Sequence, residues 1–347
     1  MLIIEPEFSG YRWFNLENHS TQTGFVTVLA ESAPRLNVPI TDETLCFGYI
    51  LPLGGQFFPH TCTPITPETL EHLKASLCYW PEQNELLLRL AQDGLLRFPD
   101  RKHLLLCESA FFNDLPPKAT HYALPLEWSN QGIRRYGSDG LCHQWVWQQT
   151  SRRLFSPRRV VSVHLCDHPT VASVQDGLAI DTSQGFTPLE GIPSLHGSGY
   201  IDPSLVLDLA EQGMSPKSIR HMLVQESGWQ AVANKIMSLV EIIEGEGESS
   251  QLVREMLESS LLKAIGAGMA ALGGTDALVF ACTPLSRWQP FIDQLCHKLS
   301  LAGLAPKENG SSDHSTNASL KNPPLQIFGL ECSREIVFKD LAEQFSH

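Results

Sequence analysis

The sequence contains no C-x-x-C pair. Its nine cysteines stand singly between Cys46 and Cys332. An odd number at irregular spacing excludes a disulfide framework and predicts reduced thiols that act as small hydrophobes. There is no run of eighteen apolar residues, so no membrane-spanning helix is expected. The opening stretch, MLIIEPEFSG, lacks the charged leader and long apolar segment of a secretory signal. These absences predict a cytoplasmic protein. Basic residues are also few, 25 against 38 acidic ones, for a net charge of -13. That balance disfavours nonspecific binding to nucleic acid or anionic membranes. The one basic run, RRLFSPRR at 152–159, is short and local.

What is present is an ordinary globular composition, 42% hydrophobic over 347 residues. That length is generous for a single core and suggests two domains. Short runs rich in aromatic and branched residues open the chain: LIIE, YRWFNL, GFVTVLA and LCFGYILPL. They read as strands. Two helices follow, TPETLEHLKASL with Thr66-Pro67 at its start and NELLLRLAQDGL, and then a buried strand, KHLLLCESA. The theme then repeats. RVVSVHL and TVASVQDGLAIDT predict a strand and a hairpin turning at Asp176-Gly177. Helices are expected at DPSLVLDLAEQG, SPKSIRHMLVQES, 249–272 and 287–300, with a strand at DALVFAC. The polar stretch at 304–324 predicts a surface loop, and LQIFGL and SREIVFKDLAEQF a final strand and helix. Two β-rich starts, each followed by helices, suggest a duplicated α/β domain.

Five stretches carry a resemblance: ESAFFNDLPPKATHYALPLEW (108–128), GIRRYGSDGLCH (132–143), DTSQGFTPLEG (181–191), SGYIDP (198–203) and ALGGTDALVF (271–280). They resemble the acetate and propionate kinase family, and with weaker matches the likeness covers nearly the whole chain. The resemblance implies a two-domain actin-like (ribonuclease-H-like) ATPase fold, with duplicated mixed sheets flanked by helices and an interdomain cleft. It implies domain I at 1–107 plus 333–347 and domain II at 108–332. It implies transfer of phosphoryl from ATP to a carboxylate, Mg²⁺ and ATP as cofactors, and a homodimer formed through domain II.

The departures from the family pattern fall at its working positions. The family's N-A-G-S-S-S-L-K reads EPEFSGYRW; only Ser9 survives and the lysine falls on Trp13. Its substrate arginine falls on Ile50, and no substrate-binding residue is assigned. The catalytic aspartate becomes Glu108 and the catalytic histidine Asp139, while a later histidine persists as His143. A further arginine falls on Gly197. The nucleotide-facing S-x-D-x-R lies around Ser238 and Val240, and the loop G-G-I-G-E-N reads CTPLSR at 282–287. One of a C-terminal glutamate pair is kept as Glu335.

The stretch HLCDH at 164–168 has the residue types of a metal site. Structural zinc, however, usually takes a second ligand pair at defined spacing, and the resemblance offers only Cys142 and His143 for it. By resemblance the stretch replaces H-L-G-N-G, a turn whose bare amides approach phosphate. His164 and Asp167 then stand at nucleotide- and phosphate-binding positions. Cys166 and His168 replace glycines, and Pro169 removes an N–H. No metal is assigned. Phosphoryl transfer runs on positioning and positive charge, and this sequence has exchanged cations for carboxylates. Arg134 and Arg135 match the family, in a role that a fold-supporting ion pair explains equally well. The expected reading is a catalytically degenerate homologue that acts as a binding or regulatory protein, with an unidentified protein partner. Two rivals stand beside it: a working carboxylate kinase with a site rebuilt on Glu108, and a protein binding a metal or metabolite through His164, Cys166, Asp167 and His168.

Overall fold

The computed structural model describes residues 1–17, 20–28, 34–41, 44–154, 157–304 and 325–345. The expected loop at 304–324 lies outside the described residues apart from Leu304. The chain divides into two compact units. Unit 1 comprises Met1–Asp114, Thr120–Cys142 and Ser333–His347; unit 2 comprises Leu115–Ala119 and His143–Cys332. Among the described residues, no helix is long and apolar enough to cross a membrane.

Unit 1 is built on six strands: β1 (Leu2–Glu7), β2 (Gly10–Glu17), β3 (Ser20–Thr27), β4 (Cys46–Leu51), β5 (Cys62–Pro64) and β6 (Lys102–Cys107). Their order is β3-β2-β1-β4-β6-β5. β1, β2 and β3 form an antiparallel meander, and β4 and β6 continue from β1 in parallel. A parallel strand covered on both faces reads as an unbroken apolar run. Accordingly β4 and β6 each bury five consecutive residues. Helices α1 (Pro67–Ala75) and α2 (Pro81–Arg97) pack on this sheet. Thr66 caps α1 by accepting the Thr69 N–H at 3.1 Å, ahead of Pro67 at the first helical position. The core gathers Leu2, Ile4, Tyr49, Leu87 and Leu105.

Two short helices follow, α3 (Pro117–Thr120) and α4 (Leu126–Asn130), and then α5 (Gly140–Arg153). Unit 2 carries β7 (Arg159–Leu165), β8 (Thr170–Gln175), β9 (Leu178–Thr182), β10 (Ala277–Cys282) and β11 (Gln326–Glu331). Their order is β11-β10-β7-β8-β9. The hairpin turns at Asp176 and Gly177, with φ of 50° and 89°, the two positive values a tight primed turn requires. Helices α6 (Pro203–Glu211), α7 (Pro216–Gln225), α8 (Gly228–Ala233), α9 (Leu239–Glu244), α10 (Glu248–Ala271) and α11 (Leu285–Leu301) belong to this unit, and α12 (Arg334–Phe345) returns to unit 1. Val161, Leu257, Phe280 and Trp288 lie in the core of unit 2.

The duplication expected from the sequence is present as topology. Each sheet begins with an antiparallel meander and extends from the meander's first strand through two parallel strands, β4 and β6 beside β1, β10 and β11 beside β7.

Two features differ from expectation. Helix α5, GLCHQWVWQQTSRR, was not expected from the sequence. It begins after Asp139, which adopts a left-handed φ of 63°. The unit boundary also differs: residues 108–114 and 120–142 group with unit 1 rather than with the second domain. The physical reason is local. The Glu108 carboxylate accepts the Leu141 N–H at 3.1 Å, and a side chain at Gly140 would stand 2.1 Å from the Glu108 carbonyl. The two segments are therefore locked together.

Candidate functional site

In unit 1, Glu108 and Asp139 do come together, around a residue that sequence reading did not select. Glu108 opens a 3-10 turn at the end of β6 and is buried. Arg334, the first residue of α12, places Nη1 2.6 Å from Glu108 Oε1. Its Nε donates to Glu5 Oε1 of β1 at 2.8 Å, and its Nη2 also reaches Glu5. Asp139 lies 3.7 Å from Nη1, and the buried Cys142 sulfur accepts from the same nitrogen at 3.7 Å. The guanidinium stacks over Phe338, 5.1 Å from the ring centre. Burial raises the Glu108 pKa above its ordinary value. Arg334 and the Leu141 N–H oppose that rise, while Asp139 and Glu5 add to it. Burial also works against the charge of Arg334, yet Glu108 and Glu5 carry its pKa well above the usual range. Next along β1, burial likewise raises Glu7, which pairs with Arg12 at 2.9 Å.

Glu335, the acid expected to matter near the C-terminus, is exposed; its neighbour Arg334 faces the acids. A signal did exist. Arg334 stands at the start of a helix whose next-turn neighbour, Phe338, is apolar and buried, so its partners had to lie elsewhere. Ile50 is buried within β4 and has no means of binding a carboxylate. His143 is fully buried in unit 2, its Nδ1 2.8 Å from Ser162 Oγ and its Nε2 2.9 Å from Thr170 Oγ1.

In unit 2, the HLCDH turn is bound into its own surroundings. The His168 N–H donates to Cys166 Sγ at 3.4 Å, and His168 Nε2 donates to the Pro188 carbonyl at 3.0 Å. The Asp167 carboxylate accepts the Leu239 N–H at 2.8 Å, at the first residue of α9. The Asp167 carbonyl accepts from Leu195 at 2.6 Å. Of the four candidate metal ligands in the stretch, Asp167 and His168 are thus committed to other partners. His164 and Cys166 remain close, 3.7 Å apart. The loop after β10 is bound in the same manner. Thr283 donates its hydroxyl to Glu331, and the Leu285 N–H, at the start of α11, donates to Glu331 Oε2 at 2.8 Å. Arg287 grips Glu244 with two nitrogens, Nε lying 2.9 Å from Oε1, which holds Glu244 below the usual carboxylate range. Ser238 and Glu241 close a capping box on α9, with the Ser238 N–H 2.9 Å from Glu241 Oε2. The Cys282 thiol is pushed up to about 12 by burial, so it stays protonated.

Residues 15–334 match the acetokinase family. The chain belongs to that family. Relatives include acetate kinase 1 of Lactococcus lactis, 31% identical over 279 residues that cover 78% of this chain and 70% of that protein. The acetate kinase of Rippkaea orientalis is 31% identical over 227 residues, 63% of this chain and 56% of that protein. The chain therefore spans little more than half the length of some acetokinases that it matches. Among solved structures, an acetate kinase from Porphyromonas gingivalis superposes with a TM-score of 0.78 at 20% identity, covering 100% of this chain and 99% of the other. A propionate kinase from Francisella tularensis gives 0.78 over 98% of each chain, also at 20% identity. These acetokinase likenesses establish the two-sheet actin-like fold.

Proposed function

We propose that this acetokinase family member has left ATP-dependent acyl phosphate formation and acts as a binding or regulatory protein. One observation carries the reading. The three stretches that would face the nucleotide by resemblance are tied to one another by the chain's own side chains. Asp167 joins the 164–168 turn to α9, Glu244 joins α9 to Arg287, and Glu331 occupies the first amide of α11. A phosphate would have to compete with carboxylates already in hydrogen-bond contact with these groups, and it would meet their negative charge. Unit 1 offers a parallel case. There Arg334, beside Glu108 and Asp139, is already engaged by Glu5 and Glu108. Loss of a single electrostatic stabiliser typically slows such chemistry by ~10²–10³, and here several are replaced together.

The test is direct. Mg-ATP should produce no thermal shift, and a hydroxamate trap with acetate or propionate should register no acyl phosphate above background. Turnover that disappears in Glu108→Ala would establish instead a working kinase with a rebuilt site.

The binding reading also takes a second copy of this chain as partner. Helix α6 buries none of its residues, with Leu205 and Leu207 53% and 63% exposed and Tyr200 60% exposed just before it. Acidic Asp208 and Glu211 on α6 and basic Lys217 and Arg220 on α7 give this region the mixed charge that suits two-fold self-pairing. Light scattering should find a dimer that Leu207→Glu converts to a folded monomer. A monomeric wild-type chain would overturn this.

A further inference from the structure

We propose that unit 2 carries a zinc site at the carboxyl ends of its parallel strands, held by His164, Cys166 and Cys332. His164 is the penultimate residue of β7, Cys166 follows that strand by one residue, and Cys332 follows β11 by one. Cys332 thus takes the place that sequence reading gave to Asp167 and His168. β10 lies between the two strands and runs parallel to both. It pairs Ala281 with His164, and the single methyl of that alanine leaves the imidazole room to reach toward β11. The Cys166 sulfur lies 3.7 Å from His164 Nδ1, and the Cys332 sulfur lies within 4.8 Å of a ring nitrogen of the same histidine. Tetrahedral zinc, at about 2.3 Å from sulfur and about 2.0 Å from nitrogen, sets two such ligand atoms about 3.5 Å apart. The Cys166–His164 pair is already close to that separation. A shift of about 1 Å at most brings Cys332 to it.

The surroundings suit a metal-bound thiolate. The Cys332 N–H donates to the Cys282 carbonyl at 2.8 Å, which fixes the residue at the strand end. The His168 N–H donates to Cys166 Sγ at 3.4 Å, a contact that favours thiolate over thiol. The Cys166 S–H also reaches the His168 carbonyl at 3.2 Å; zinc displaces that proton and leaves the N–H in place. Two thiolates and a neutral imidazole cancel the charge of a divalent ion, as a buried site requires. His164 and Cys332 are 5% and 1% exposed, while the half-buried Cys166 gives the ion a way in. Thiolate and imidazole together select zinc over magnesium. Cys282 contributes no ligand, since it packs in the core with Leu165 and Phe280 on the other face of the sheet. The site goes beyond the binding reading above and stands whether or not the chain turns over ATP.

Zinc itself is the probe. The reduced full chain, loaded with zinc sulfate and dialysed, should retain one zinc per chain by elemental analysis. Cys166→Ser and Cys332→Ser should each weaken zinc binding by at least about tenfold. Cys78→Ser, which removes an exposed thiol of unit 1, should retain the wild-type zinc. Cobalt in place of zinc should give a thiolate-to-cobalt charge-transfer band that Cys166→Ser diminishes. Should Cys332→Ser fail to fold, X-ray absorption at the zinc edge of the wild-type chain reads the same ligands: at least two sulfurs at about 2.3 Å and one imidazole nitrogen. A wild-type chain that retains no zinc, a Cys166→Ser chain that binds it as tightly as wild type, or a zinc shell of oxygen and nitrogen alone would overturn the site.

Discussion

Arg334→Met should lower the unfolding temperature of unit 1 by roughly 10 °C at pH 7.5, making it the most damaging single charge removal in that unit. The side chain it removes is 24% exposed and is the cation that Glu108 and Glu5 share. Methionine fills much of the same volume, so the loss is chiefly electrostatic. Breaking a buried ion pair by deleting one partner costs about 3–5 kcal/mol, because the remaining charge is stranded. Here the stranded charges are carboxylates, which fixes the sign of the pH dependence. The pKa of Glu108, which Arg334 holds down, rises further without it. The deficit therefore grows from pH 5 to pH 8 and shrinks as pH falls below 4.5, where Glu108 is protonated in both states. Glu335→Gln, one residue away on the exposed side, should change stability by no more than about 0.5 kcal/mol. Thermal unfolding of both variants at three pH values checks the pair. Equal losses in the two would mean that the start of α12 matters and the guanidinium does not.

The contrast between Arg334 and Glu335 shows what the sequence could and could not convey. The strands of both sheets other than the short β5 were legible, the central ones because burial on two faces leaves an unbroken apolar run such as LVFAC in β10. Capped helices were legible too; Thr66, Asp202 and Ser215 each hold the amide that their residue type suggests. Helix α5 was not legible, since it starts from a positive-φ aspartate and is rich in aromatic and β-branched residues. The partners of Glu108 were not legible for a different reason. Arg334 meets Glu5 across 329 positions of sequence, and no periodicity encodes that distance. The same holds for Asp167, whose carboxylate caps a helix 72 residues later. At HLCDH the residue types suggested ligands, whereas the fold uses the aspartate as an N-terminal cap and one histidine as a donor to a carbonyl.

His143→Ala should destabilise unit 2 by about 3–5 kcal/mol, and the variant should fail as a folded protein before it fails at any binding or chemistry. By resemblance His143 is a histidine kept from the family, so a site role is the natural first thought. The structure gives it different work. The ring is fully buried on α5, and its two nitrogens contact hydroxyls on neighbouring strands, Ser162 of β7 and Thr170 of β8. It thereby fastens a helix to two adjacent strands of the sheet. Alanine would leave a cavity the size of an imidazole and strip a partner from each hydroxyl. An unsatisfied buried group costs about 1–3 kcal/mol, and the cavity adds its own share. Glutamine can replace only part of this, because its flexible amide does not hold two hydroxyls at the spacing of the ring nitrogens. The expected order of stability is therefore wild type, His143→Gln, His143→Ala, read by denaturant unfolding with a probe in unit 2. A normally stable His143→Ala variant would move this histidine from the scaffold to the list of functional groups.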